Sequence, residues 1–297
     1  MTPTASPAPD GVVWQSGTVP GDGRRVPVRV LCPAGGVQGG RWLVWAHGGS
    51  WRAGSVAGWQ EACADLAVQS GARVVGVEYR LAPAHRHPAA LCDVLAAVEW
   101  AWAQAAGDGA GGRPWVAVGG DSAGGTLAAG AALAWRDRYG GSRPLAAQVL
   151  AYPPLDPACL APSYHRNPGG FPDREGLMAA WRDYRGEGEG EPVAADGIRL
   201  YSTPLHAPQL SGLPPAVIAF GGRDPVADDS RTYARRLGQA GVPVVTREFP
   251  LLGHGAFIAP AGRGLPGRAP AGNALRRWLG SAVRALEVPA PAAGRGA

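Results

Sequence analysis

Six short segments of almost unbroken apolar character recur along the chain with helix-length segments between them: Trp42 to Ala46, Val74 to Val77, Trp115 to Val118, Ala147 to Ala151, Ala216 to Phe220 and Val244 to Phe249. A strand that is apolar on both faces must be covered on both, as in a parallel sheet with crossover helices above and below it. Helical patterning over about Trp59 to Ser70, Ala89 to Ala105, Ala123 to Tyr139, Asp229 to Ala240 and Asn273 to Leu286 supplies those covers. Gly71, Gly140 and Gly241 stand where left-handed residues close three of them. Val26 to Leu31 alternates instead, as an outer strand does. The pattern predicts an α/β fold, a doubly wound, mostly parallel sheet with helices on both faces, and places an active site beyond the strands' carboxyl ends.

One interval breaks the alternation. From Pro153 to His206 there is a single helical stretch, about Asp173 to Tyr184, and no strand. That is too long for a plain connection and predicts a small cap inserted at 153–206 into a core made of 11–152 and 207–288, with disordered tails at 1–10 and 289–297.

Composition removes several classes of function. All 28 basic residues are arginine, so no lysine exists for a Schiff base, a phosphate-binding loop or a serine-lysine pair. Net charge is +5, but the arginines are scattered, and Arg235-Arg236 and Arg276-Arg277 fall on helix faces, which argues for solvated surface and against a nucleic-acid partner. Cys32, Cys63, Cys92 and Cys159 lack zinc spacing and read as buried free thiols of a reducing compartment. MTPTASPAPD has neither the basic nor the apolar region of a signal peptide, and no apolar run reaches the roughly 18 residues of a membrane span. A cytoplasmic protein with no membrane partner is expected.

Gly120-Asp121-Ser122-Ala123-Gly124 lies between the strand WVAV and a helix, a setting in which small neighbours let a serine hydroxyl project above the sheet as a nucleophile. His47-Gly48-Gly49-Ser50-Trp51 directly follows WLVWA. Its glycines let the backbone approach a substrate carbonyl, so the amides of Gly48, Gly49 and Ala123 are the candidate oxyanion donors. His47 is read as holding that loop.

In this arrangement the acid and base follow the serine on later loops. Asp224 comes after the strand AVIAF and His254 after VVTREF, and no other histidine follows His206. Asp228 and Asp229 compete with Asp224 but fall at the next helix start, where capping accounts for them. His85, His87, His165 and His206 read as loop or surface histidines, and Trp42, Trp45, Trp100, Trp102 and Trp115 as core. Trp51, beside the glycines, and Trp181, on the cap helix, are candidate pocket walls together with Ser50.

HGGSW, YRLAPAHRHPAA (Tyr79 to Ala90), GDSAGG, SGLPPAVIAFGGRDPVADD (Ser211 to Asp229) and the stretch from Tyr233 to Gly255 resemble the bacterial hormone-sensitive-lipase-like family of α/β-hydrolase esterases, over about residues 20 to 285. The resemblance implies Ser122 as nucleophile, Asp224 as acid, His254 as base and Gly48, Gly49 and Ala123 as oxyanion donors. It further implies a carboxylesterase acting through an acyl-enzyme on small-molecule esters, without metal or cofactor. A homodimer is left open. Two departures stand out: Ser50 replaces the family's usual third glycine, and the helical N-terminal part of the family's cap is expected to be missing. HGG, one residue, then Trp also resembles kynurenine formamidases, so an arylformamidase or acyltransferase with the same triad is the alternative, and a non-catalytic small-molecule receptor the alternative of another class. The Tyr79 to Ala90 stretch favours the esterase branch.

Overall fold

The computed structural model describes residues 11–37, 40–108, 113–166, 170–186, 190–259 and 271–286; the tails expected to be disordered fall outside them. The strands are β1 (Val12–Pro20), β2 (Arg25–Pro33), β3 (Trp42–Ala46), β4 (Arg73–Val77), β5 (Val116–Asp121), β6 (Ala147–Ala151), β7 (Ala216–Gly221) and β8 (Val244–Phe249). They make one sheet in the order β1-β2-β4-β3-β5-β6-β7-β8. β2 pairs antiparallel with both β1 and β4, and every pairing from β4 to β8 is parallel. Val26 to Leu31 is therefore the second strand, covered on its outer side by β1. That partner escaped the sequence because VVWQSGTVP is largely exposed and polar in its middle, with no apolar face to mark it.

The helices are α1 (Gln60–Ser70), α2 (Ala89–Gly107), α3 (Ala123–Tyr139), α4 (Ser163–Arg166), α5 (Arg174–Arg185), α6 (Ala227–Gln239) and α7 (Ala271–Ala285). α1 packs on α7, while α2 packs on α3. β3, β6 and β7 are buried along their whole length, as two-faced cover requires. α3 is buried without a break from Ala123 to Trp135, which fits its alanine- and glycine-rich, non-amphipathic sequence. β8 departs from the expectation of two-sided burial: as the edge strand it exposes Val245, Thr246, Arg247 and Glu248.

Between β6 and β7 the described residues carry α4, α5 and a 3-10 turn at Pro204–His206, and no strand of the sheet. The strand order reverses at β3 and β5, since β4 follows β3 to one side and β5 lies on the other. Ala46 pairs with Gly120, so the two loops leaving that crossing, at His47 and at Ser122, emerge side by side.

Candidate active site

Ser122 has φ 52° and ψ −124°, a conformation that L residues adopt only under strain and that lifts the side chain out of the strand-to-helix turn. Its neighbours are glycines for want of space. A Cβ on Gly120 would run into the Gly124 carbonyl, and one on Gly124 into the Ala46 carbonyl of β3. Ser122 Oγ lies 2.7 Å from His254 Nε2. His254 Nδ1 lies 2.9 and 3.0 Å from the two carboxylate oxygens of Asp224, which is fully buried and also accepts the Val226 amide. The imidazole thus carries its Nδ1 proton towards the acid and presents Nε2 as an acceptor to the serine.

The loop bearing His254 is braced from several sides. Tyr152, with φ 39°, sets its ring 4.8 Å from the imidazole, and its hydroxyl accepts the Phe257 amide at 2.7 Å. Arg276 of α7 donates to the Phe257 and Ala259 carbonyls and pairs with Asp65 of α1. Phe257 stacks on Trp45 of β3, with centroids 4.5 Å apart.

Gly49, Ser50 and Trp51 have φ of 117°, 54° and 59°, and the Arg52 and Ala53 amides close the turn onto the Gly49 carbonyl. His47 holds it as expected: Nδ1 donates to the Gly48 carbonyl at 2.7 Å, the ring stacks on Tyr79, and the Tyr79 hydroxyl donates to the His47 carbonyl. Burial lowers the His47 pKa, which keeps the ring neutral. The Gly48 backbone packs against the buried Asp121 carboxylate, where a Cβ on it would stand 2.7 Å from Oδ2. The amides of Gly49, Ser50 and Ala123 have no acceptor among the described residues.

Trp51 and Trp181 do not line an open pocket. Both are buried, with Trp51 stacked on Tyr184 at 4.7 Å and Trp181 4.3 Å from Trp51, so they join α5 to the loop that follows β3. Arg52 and Asp183 pair over the same joint at 3.1 Å. His85, His165 and His206 are exposed, as expected of surface residues. His87 is not: its side chain is 3% exposed, its Nε2 donates to the Leu200 carbonyl, and its Nδ1 accepts from the Tyr184 hydroxyl. Nothing in the Pro-rich text around it marks that role.

Asp228 and Asp229 also differ from their sequence reading. α6 starts at Ala227 without a side-chain cap. Asp228 instead accepts the Ser163 amide and pairs with Arg166 and Arg231. Asp229 accepts the Leu155 and Asp156 amides and the Tyr164 hydroxyl, and burial pushes its carboxyl up to about 7. Both carboxylates fasten the inserted segment to α6. Of the four cysteines, all free, Cys63 and Cys159 are buried, whereas Cys32 and Cys92 are only partly so.

A strained serine in line with an imidazole and a buried carboxylate, at the crossing of a sheet with this strand order, defines the α/β-hydrolase class. The chain belongs to the hormone-sensitive-lipase-like family of that class: the family described as alpha/beta hydrolase fold matches residues 43–258. It is 38% identical to the carboxylic ester hydrolase LipN of Mycobacterium tuberculosis over 80% of this chain, and spans 62% of LipN's length. Against the carboxylesterase NlhH of the same organism the identity is 37%, covering 86% of this chain and 79% of NlhH. A solved structure titled bacterial heroin esterase superposes with a TM-score of 0.80 at 33% identity, covering 94% of this chain and 86% of that one.

Proposed function

We propose that the protein is a carboxylesterase of the serine hydrolase type. The observation that carries this is the unbroken line Ser122 Oγ, His254 Nε2, His254 Nδ1 and Asp224, with hydrogen bonds of 2.7 and 2.9 Å. His254 takes the Ser122 proton as the oxygen attacks the ester carbonyl. The oxyanion is met by the amides of Ala123, Gly49 and Ser50, with Ser50 taking the place of Gly48 because Gly48 is packed against the Asp121 carboxylate. The imidazolium, steadied by Asp224, then protonates the departing alcohol, and water resolves the acyl-enzyme by the same steps in reverse.

The buried joint of Trp51, Trp181 and Tyr184 begins one residue past the oxyanion loop. The proposed substrates are esters with short acyl groups, about two to six carbons. The names of the relatives, a carboxylic ester hydrolase and a carboxylesterase, agree with ester cleavage. The proposed location is the cytoplasm, where four free thiols stay reduced.

A ladder of p-nitrophenyl esters of rising chain length, run beside N-formylkynurenine, tests the reading. Turnover is expected to peak on short acyl esters, with no rise above the micellar threshold of a long-chain triglyceride. Faster cleavage of the formamide than of any ester would overturn it in favour of an arylformamidase, and failure of a fluorophosphonate to label Ser122 would remove the hydrolase reading altogether.

A further inference from the structure

Asp121, the residue immediately before the nucleophile, plays no part in the proton relay, yet it is 2% exposed and lies at the junction of the catalytic loops. Its Oδ1 accepts the Trp59 indole N–H at 2.8 Å and the Trp45 indole N–H at 3.2 Å. Its other oxygen lies against Gly48, where a Cβ would stand 2.7 Å from Oδ2 and 3.3 Å from the Ser122 Cβ. Two indole N–H groups, from β3 and from the segment leading into α1, therefore converge on one buried carboxylate that also packs against the start of the oxyanion loop.

Each donor is tied to another part of the site. Trp45 stacks on Phe257 of the His254 loop, and Trp59 sits 5.3 Å from the His47 ring. We propose that Asp121 is a positioning residue: when ionised, its carboxylate holds the oxyanion loop in register with the Ser122 turn, and protonation releases that hold. The chemistry follows from the donor inventory, since an ionised carboxylate only accepts, whereas its protonated form must donate one O–H among groups that are themselves donors.

The groups that face Asp121 are Cys63, Tyr79, Tyr152 and His254, with Arg276 beyond Cys63 and Tyr152 and His47 beyond Trp59. Burial raises the Cys63, Tyr79 and Tyr152 pKa values and lowers that of His47, so these four are neutral near pH 7. Burial also pushes the Asp121 carboxyl up to about 7, against the pull of the two indoles, which places its ionisation in the working range of a serine esterase. Turnover then needs the ionised Asp121 as well as a proton-free Nε2 on the base.

This inference rests on Ser122 being the nucleophile, which fluorophosphonate labelling of the wild type tests separately. The deciding experiment is the pH dependence of kcat/KM on p-nitrophenyl acetate for wild type, Asp121→Asn and Trp59→Phe. The wild-type acid limb is expected to be steeper than one ionisation allows. Asp121→Asn should return it to unit slope and lower kcat by about tenfold to a hundredfold with KM little changed, short of the ~10²–10³ lost with an outright oxyanion donor. Trp59→Phe keeps the carboxylate but removes its 2.8 Å bond, so the steep part should move to higher pH. A wild-type limb of unit slope, or Asp121→Asn with unchanged kcat and slope, overturns the proposal. If Asp121→Asn does not fold, an unmoved limb in Trp59→Phe overturns it instead.

Discussion

The crossing of β3 and β5 and the inserted segment between β6 and β7 meet at the same site but are held by different physics. At the crossing, position is set by backbone approaching backbone: Gly120 under Gly124, Gly124 under the Ala46 carbonyl, and Gly49 against Ala53. No side chain fits there, so the geometry has no rotamer freedom to lose. The insertion is held largely through side chains, with Asp228 and Asp229 gripping α4 and the loop before it, and Trp51, Trp181, Tyr184 and His87 gripping α5, where one backbone bond from the His87 amide to the Tyr184 carbonyl joins them. Chemistry is fixed where there is no room, and pocket shape where contacts can be exchanged one at a time.

The sharpest way to break this comparison sets two buried aspartates against each other. Asp224→Asn should lower kcat by about 10⁴ with an unchanged melting temperature, because it removes the imidazole's orienting partner. Asp229→Asn should cost stability and leave kcat far closer to wild type. A carboxyl held up near 7 stabilises the fold most below its unfolded pKa of about 3.9, and that contribution fades as pH rises through 7. Urea denaturation at pH 5 and pH 8 should therefore show a smaller pH difference in Asp229→Asn than in wild type. Near-wild-type turnover in Asp224→Asn would remove Asp224 from the relay.

A middle-sized effect is expected at the joint between the two regions. Trp181→Ala empties a buried indole from the α5 contact and should cost about 3–5 kcal/mol in urea denaturation, with a larger change in KM than in kcat. Equal loss of kcat on every ester would mean that α5 supports the catalytic loop itself and would erase the distinction.

The smallest effect belongs to Ser50→Gly. Ser50 has φ 54°, where glycine is less strained, and its amide, unlike its side chain, is in the donor set. Short-ester kcat should stay within about tenfold, since losing a donor costs ~10²–10³. The ratio of branched to linear ester turnover should rise as the Cβ is removed. A hundredfold fall on all esters with an intact fold would make the hydroxyl a donor.

The same division explains what the sequence discloses. The placement of Ser122, Asp224 and His254 at neighbouring strand ends and all six apolar strands are legible because each sits at a strand end or strand interior whose pattern is local. The packing of Gly48 against Asp121 is not, since it depends on how two loops lean together after the strands pair at Ala46 and Gly120. His87 is invisible for the same reason: its partners, Tyr184 and Leu200, are 97 and 113 residues away. β1 and the exposure of β8 were hidden by edges, where burial no longer follows hydrophobicity.

The brace from α7 has a consequence for the order in which the site comes together. Ser122 and the loop that follows β3 come from the first half of the chain, while the loop carrying His254 is fastened by Arg276 through the Phe257 and Ala259 carbonyls. Because β6, β7, β8 and α7 all follow residue 122 in one sheet, the Ser122 turn and the His254 loop can meet only after the chain as far as Arg276 is available to fold as a unit.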